Sequence, residues 1–204
     1  GVDGGYLAKP VFRMIYVESN SSFEKDDAIE MTRQHLFYND SVNKIAADIA
    51  NKSVSLLGHP VLILVEEMEQ FTKLYPYLRH KVAFAHGGVT KDNADKLPSE
   101  FHKSNPNQLV DQFNAGEIPI LIGTSCVSTG TNFKAVKTLI YLQGGKSEIQ
   151  VRQAIGRSTR LVEGKTTCAI YDFHVTNIAT LSRHTMERKA IYNDIYGPVQ
   201  EVIY

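Results

Sequence analysis

Few of the features that mark specialised protein classes occur in this chain. Its two cysteines, Cys126 and Cys168, stand far apart in apolar settings, and neither belongs to a C-x-x-C pair. This argues against a disulfide scaffold and a thiolate metal site, and reads as reduced thiols in a cytoplasmic protein. The seven histidines never fall in H-x-x-x-H spacing, so zinc has no sequence support. No charge of either sign is in excess: 22 Lys and Arg balance 22 Asp and Glu. No global positive field advertises nucleic acid, although a local patch fits within a neutral total, so the partner class must come from motifs. There is no apolar run of membrane-spanning length and no signal peptide, so no membrane partner is expected. The chain begins at GVDGGYLAKP without methionine and reads as a fragment or a processed piece. A phosphate-binding loop is missing as well. The Gly-Lys-Ser of YLQGGKS (141–147) imitates the end of one, but G-x-x-x-x-G-K-[ST] requires glycine where this chain has Ile140.

What is present is an ordinary globular composition, 43% apolar and 22% charged, over 204 residues, enough for one generous domain with a buried core. Short apolar runs alternate with amphipathic stretches, the pattern of a parallel sheet with crossover helices. The strands are expected at 11–17, 61–65, 82–86, 118–123, 137–142 and 166–173. Most are continuously apolar, as when helices cover both faces. Only the first alternates partly, which places it at an edge. Val42, Ile45, Ala46 and Ile49 recur at helical spacing behind the potential caps Asp40 and Ser41, and Gly58 ends that helix. Further helices are expected near 68–78 and 107–115. The polar segment 87–106 reads as a long loop with room for a short helix. From His174 to about Tyr196 a polar helix carries Arg183, His184, Arg188 and Lys189 and packs through Leu181, Ile191 and Tyr192. Its charged run reads as a solvated face, with DNA contact by its arginines as the sharper alternative. An open parallel sheet binds ligands at the carboxyl ends of its strands, which directs attention to the loops after 65, 86, 123 and 142.

The most specific stretch is QAIGRSTR, Gln153 to Arg160. Two arginines three apart, just beyond Gly156, form a pair of planar donors suited to triphosphate oxygens. Spacing alone fits a solvated arginine pair at a helix end equally well. Upstream, LVDQFNAGEIPILIGTSCVSTGTNF (109–133) supplies a helix, a buried strand and a polar loop. In that loop Thr124, Ser125 and their backbone N–H groups offer donors for a nucleic-acid phosphate without base preference. The plain reading is a strand-end turn whose hydroxyls bond local backbone.

Taken in order, these segments resemble the second RecA-like lobe of a superfamily 2 DNA helicase or translocase. VLILVEE resembles motif IV, TSCVSTGTNF motif V and QAIGRSTR motif VI, over roughly residues 35–175. The stretch from Ser128 to Arg157 is similar to DNA-remodelling translocases of the phage recombination-repair type. The resemblance implies a RecA-like α/β fold, an open parallel sheet with helices on both faces and no P-loop of its own. Residues 1–35 would be an extension with an edge strand and a linker from a first lobe, 36–175 the lobe itself, and 176–204 a helical extension. It implies that Arg157 and Arg160 are arginine fingers reaching ATP bound, with Mg2+, to the N-terminal lobe. Gln153, Gly156, Gly130, Thr131 and Asn132 would line the nucleotide side, and Thr124, Ser125, His86 and Gly87 would face nucleic acid, DNA in preference to RNA. For His86 an ordinary strand-end histidine is the plain reading. Many relatives carry Gly-Asp where this chain has Thr131-Asn132, so the charge of that contact is lost. Neither a Walker A loop nor a D-E-x-H or D-E-A-D sequence is present, so this chain supplies fingers without assembling a hydrolytic centre. Two alternatives remain open at this stage: a catalytically silent helicase-like binding module, and a nucleotide-sugar transferase lobe.

Overall fold

A computed structural model describes residues 9–127, 133–145 and 167–204. In chain order the described elements are β1 (Lys9–Val17), α1 (Ala28–Thr32), α2 (Asp40–Leu57), β2 (Val61–Val65), α3 (Met68–Leu74) and β3 (Val82–Ala85). There follow α4 (Lys91–Ala94), α5 (Pro106–Asn114), β4 (Ile120–Gly123), β5 (Thr138–Leu142), β6 (Thr167–Val175), α6 (Ala179–Tyr196) and β7 (Gln200–Val202). The seven strands form one sheet in the order β3-β4-β2-β5-β6-β1-β7, and every pairing is parallel.

The continuous apolar runs divide their side chains between two cores. In β2, Val61, Ile63 and Val65 join one cluster with Ala46, Ile49 and Phe71 from α2 and α3. Leu62 and Leu64 join the other with Val110 and Phe113 from α5 and Tyr192 from α6. Because side chains alternate across a strand, a run without polar residues requires cover on both faces, and the helices provide it.

Most elements fall where the sequence puts them, with instructive differences. β1 lies one strand in from the edge, because β7 pairs outside it along Arg13–Ile15. Tyr16, 37% exposed, lies just beyond the three residues that β7 covers. β6 continues to Val175, pairing with β1 over nine residues, so α6 starts at Ala179 rather than His174. The cap of α2 is Asn39, whose side chain accepts from Val42 N–H at 3.3 Å, one residue before the expected caps. At the other end Gly58 takes φ 63°, the left-handed conformation glycine adopts freely. α1, absent from the sequence reading, is capped by Asp27 and continues as a π turn over Arg33–Phe37. That turn buries His35 at the centre of a tether: Ser19 Oγ lies 2.6 Å from Nδ1, and Nε2–H donates to Phe23 O at 2.7 Å. Among the described residues no helix is long and apolar enough to cross a membrane.

Candidate nucleic-acid interface

Two buried glutamines join the carboxyl ends of the central strands. Gln70 accepts from the N–H groups of Glu66 and Glu67 and donates to Leu142 O at 2.9 Å, bridging the end of β2 to the end of β5. Gln143 returns the link by donating to Val65 O at 3.2 Å. Gln70 is the third residue of α3, and with the Glu67 side chain it completes a capping box. The E-x-x-Q spacing was readable as that cap; the bond to Leu142 was not.

β4 delivers Thr124 and Ser125 to the same edge. The turn Ser125–Val127 folds back so tightly that a Cβ on Gly123 would lie 2.1 Å from Val127 Cγ2, so only glycine fits without displacement. Thr124 N–H donates to Ala85 O at 3.1 Å, extending the β3–β4 ladder, and Thr124 O accepts from Val127 N–H. The expectation that this amide faces a phosphate is therefore corrected, because sheet pairing consumes it.

Thr124 and Ser125 line a cleft of about 570 Å³ opposite α1 and the start of α3. Its far wall is acidic, with Glu30, Glu66, Glu67 and Glu69 around Arg33 and Tyr38. Arg33 donates to Glu67 at 2.7 Å and to Glu30 at 2.5 Å, and these two carboxylates raise its pKa further. The Tyr38 hydroxyl lies 3.1 Å from carboxylate oxygens of both Glu67 and Glu69, and desolvation together with those charges raises its pKa. Glu66 is raised as well, by desolvation first and by Glu67 second. Arg33 and Glu67 keep about a third and a quarter of their side-chain surface in solvent, so this bridge contributes at most about 1 kcal/mol.

His86 does not join the cleft. It is buried, its Nε2–H donates to Phe101 O at 2.7 Å, and Nδ1 accepts from Gly88 N–H at 3.1 Å. With both ring nitrogens engaged and its own N–H on Ser104 Oγ, the ring fastens the loop from 86 to 104 to the sheet. Direct contact between His86 and nucleic acid is thus corrected to a structural role. Gly87 beside it is exposed. Arg188 is also corrected: it is 2% exposed and faces the interior, not DNA. Gly130, Thr131, Asn132, Gln153, Gly156, Arg157 and Arg160 lie outside the described residues. Among the described residues no group of three His, Cys, Asp or Glu is placed to hold a metal ion, so no step through magnesium is assigned to them.

The family model described as the helicase conserved C-terminal domain matches residues 46–162, more than half of the chain. The chain belongs to this family, and its fold is that of the second RecA-like lobe of superfamily 2 helicases. The matched span contains every candidate from His86 to Arg160. DEAD-box ATP-dependent RNA helicase 57 of Arabidopsis thaliana is 31% identical over 134 residues, 66% of this chain and 23% of that protein. The crystal structure of T4 UvsW superposes with a TM-score of 0.68 at 14% identity, covering 97% of this chain and 41% of that one. The C-terminal domain of the DEAD-box protein Dbp5 gives 0.56 at 17% identity, covering 95% and 90%. The chain spans about a quarter of the length of the Arabidopsis relative. Membership of the helicase family removes the transferase alternative.

Proposed function

We propose that this chain is the second motor lobe of an ATP-dependent helicase or translocase whose first lobe binds ATP and Mg2+. In this reading Arg157 and Arg160 reach across to the γ-phosphate, with Gln153, Gly156, Gly130, Thr131 and Asn132 on the nucleotide side. Residues 36–175 form the motor lobe, 1–35 lead from the first lobe, and 176–204 extend it. The observation that carries the proposal is the family match, which runs through both the strand-end turn at Thr124 and the arginine pair. An arginine finger stabilising charge on a transferring phosphoryl group is worth ~10³–10⁵ in rate.

Thr124 and Ser125 grip the phosphate backbone through their hydroxyls, and exposed Gly87 adds a second point of approach. Contacts of this kind position the strand without reading bases. DNA is the proposed substrate on the strength of the motif V to VI resemblance; the Arabidopsis relative is named an RNA helicase, which makes RNA the competitor to test.

Two variants of the parent protein test the division of labour. Arg157→Ala loses ATP turnover and keeps nucleic-acid affinity, whereas Thr124→Ala with Ser125→Ala loses affinity evenly across sequences. Unchanged turnover in the first variant refutes the finger assignment, and a strongly sequence-dependent loss in the second refutes the backbone grip. Competition between matched DNA and RNA duplexes decides the sugar.

A further inference from the structure

Two glycines precede the segment bearing Arg157, and the second of them is held by the C-terminal helix. Gly144 and Gly145 take φ values of 65° and 76°, forming a left-handed bend directly after β5. Both carbonyls are engaged: the Tyr141 hydroxyl donates to Gly144 O at 3.2 Å, and Arg188 Nη1 donates to Gly145 O at 2.5 Å. Arg188 is fixed in turn. Its Nε and Nη2 meet the two oxygens of Asp172 at 2.8 and 3.0 Å, a bidentate fork, and Nη2 also reaches Thr185 Oγ1 at 3.2 Å. The Tyr192 hydroxyl and Phe173 N–H donate to the same carboxylate. The guanidinium carbon lies 5.9 Å from the centre of the Tyr141 ring. Arg188 is 2% exposed and Tyr192 1%.

A fully buried ion pair is a poor source of stability, because desolvating both ions offsets their attraction and apolar replacements are often at least as stable. What an apolar core cannot do is hold a specific carbonyl in a specific place. We propose that Arg188, oriented by Asp172 and Tyr192, is a positioning residue that sets the exit direction of the chain at Gly145, twelve residues before Arg157, and thereby the reach of the arginine fingers. The proposal rests on the finger assignment made above. It gives α6 a role in the motor: a helix whose charged run reads in sequence as a solvated face carries the buttress of the catalytic segment. Misplacing reacting groups by about 1 Å costs on the order of 10²-fold in rate, so loss of the buttress is expected to be visible in turnover alone.

The test uses the two-lobe parent protein at saturating nucleic acid. A triple variant, Asp172→Leu, Arg188→Met and Tyr192→Phe, removes both charges and the hydroxyl together, leaving no orphaned ion. Arg188→Lys keeps a charge for Asp172 but not the fork. Both are expected to retain the wild-type melting temperature within a few degrees and lower kcat by about 10- to 100-fold. KM for ATP and nucleic-acid affinity should stay within about twofold of wild type, and adding either variant to a double finger variant, Arg157→Ala with Arg160→Ala, should lower its residual rate no further. Wild-type kcat in a folded triple variant, while Arg157→Ala lowers turnover, overturns the positioning role and leaves the fingers standing. Normal turnover in Arg157→Ala itself removes the fingers, and the positioning role with them. A triple variant whose loss multiplies with that of the double finger variant shows that Arg188 acts elsewhere and also overturns the proposal.

Discussion

Replacing Gly123 with alanine sets a methyl carbon 2.1 Å from Val127 Cγ2, 3.3 Å from its Cβ and 3.5 Å from Cγ1. Carbon atoms pack best near 3.5–4.0 Å, so Val127 must retreat by more than an ångström. It is β-branched, 1% exposed and part of the core beneath β4, so rotating χ1 only exchanges one clash for another. The displacement falls on the turn that carries Thr124 and Ser125. Overpacking of this kind costs about 1–3 kcal/mol. Val127→Ala alone removes two buried methyl groups, about 2 kcal/mol from ~0.8 each plus the residual cavity. In the double variant the clash with both γ carbons is gone and only the 3.3 Å approach to Cβ remains. Its cost should therefore fall short of the sum of the singles by about 1 kcal/mol or more. Urea unfolding of the 204-residue chain measures all four corners of this cycle. Additivity within about 0.3 kcal/mol, or a neutral Gly123→Ala, would falsify the close packing that shapes the turn.

Two further perturbations probe charge. His174 is buried, its Nδ1 has no partner among the described residues, and desolvation outweighs the pull of Asp172 and Glu201, so its pKa sits below 6.5. Because the unfolded chain binds the proton more readily, His174 contributes stability that is present above about pH 6.5 and lost as pH falls through the folded value. The urea midpoint should thus drop between pH 7.5 and 5.5, and by less in His174→Phe, which keeps a ring against Tyr16; parallel drops in the two proteins refute the assignment. Glu66→Gln should tighten nucleic-acid binding by the parent protein about two- to fivefold at low salt, since one charge at roughly 6–10 Å is worth about 0.5–1 kcal/mol. The gain should shrink at high salt, and unchanged or weaker binding argues against a phosphate in the cleft beside Glu66.

The sheet was legible because its strands are continuous apolar runs separated by helices of ordinary length. β2 was read to the residue, and β3, β4 and β5 to within one or two. What escaped was structure whose signal is short or non-local. β7 has three residues, too few for any period to register. α1 carried a readable mark, Asp27 followed by Glu30 three residues on, but its π turn broke the 3.6-residue spacing that would have extended it. At the site, the sequence placed Thr124 and Ser125 at a strand end correctly, yet it gave no means of knowing that the Thr124 amide belongs to Ala85. Arg188 failed for a physical reason: an arginine in a polar helix is ordinarily solvated, and only the position of Asp172 sixteen residues earlier, on a different element, makes its burial tolerable.

The acidity of the cleft has a local origin that bears on how a backbone would be held. Glu67 and Glu69 stand at the cap and first turn of α3, where a helix N-terminus favours negative charge. Arg33 pairs with Glu67 and Glu30, Lys96 lies 3.7 Å from Glu69, and the Tyr38 hydroxyl donates to Glu67 and Glu69. These contacts tie α1 to α3, but two cations among four carboxylates leave the wall net negative, Glu66 included, against a phosphate at Thr124 and Ser125. With the Thr124 amide also withdrawn into the sheet, the proposed grip rests on neutral hydroxyl donors facing a wall of net negative charge. Such contacts are individually weaker than the bidentate pairing of an arginine with a phosphate. In the proposed motor, which would release the backbone in every cycle of ATP turnover, that weakness would serve release: a cluster of arginines at this point would hold the strand through the step that has to let it go.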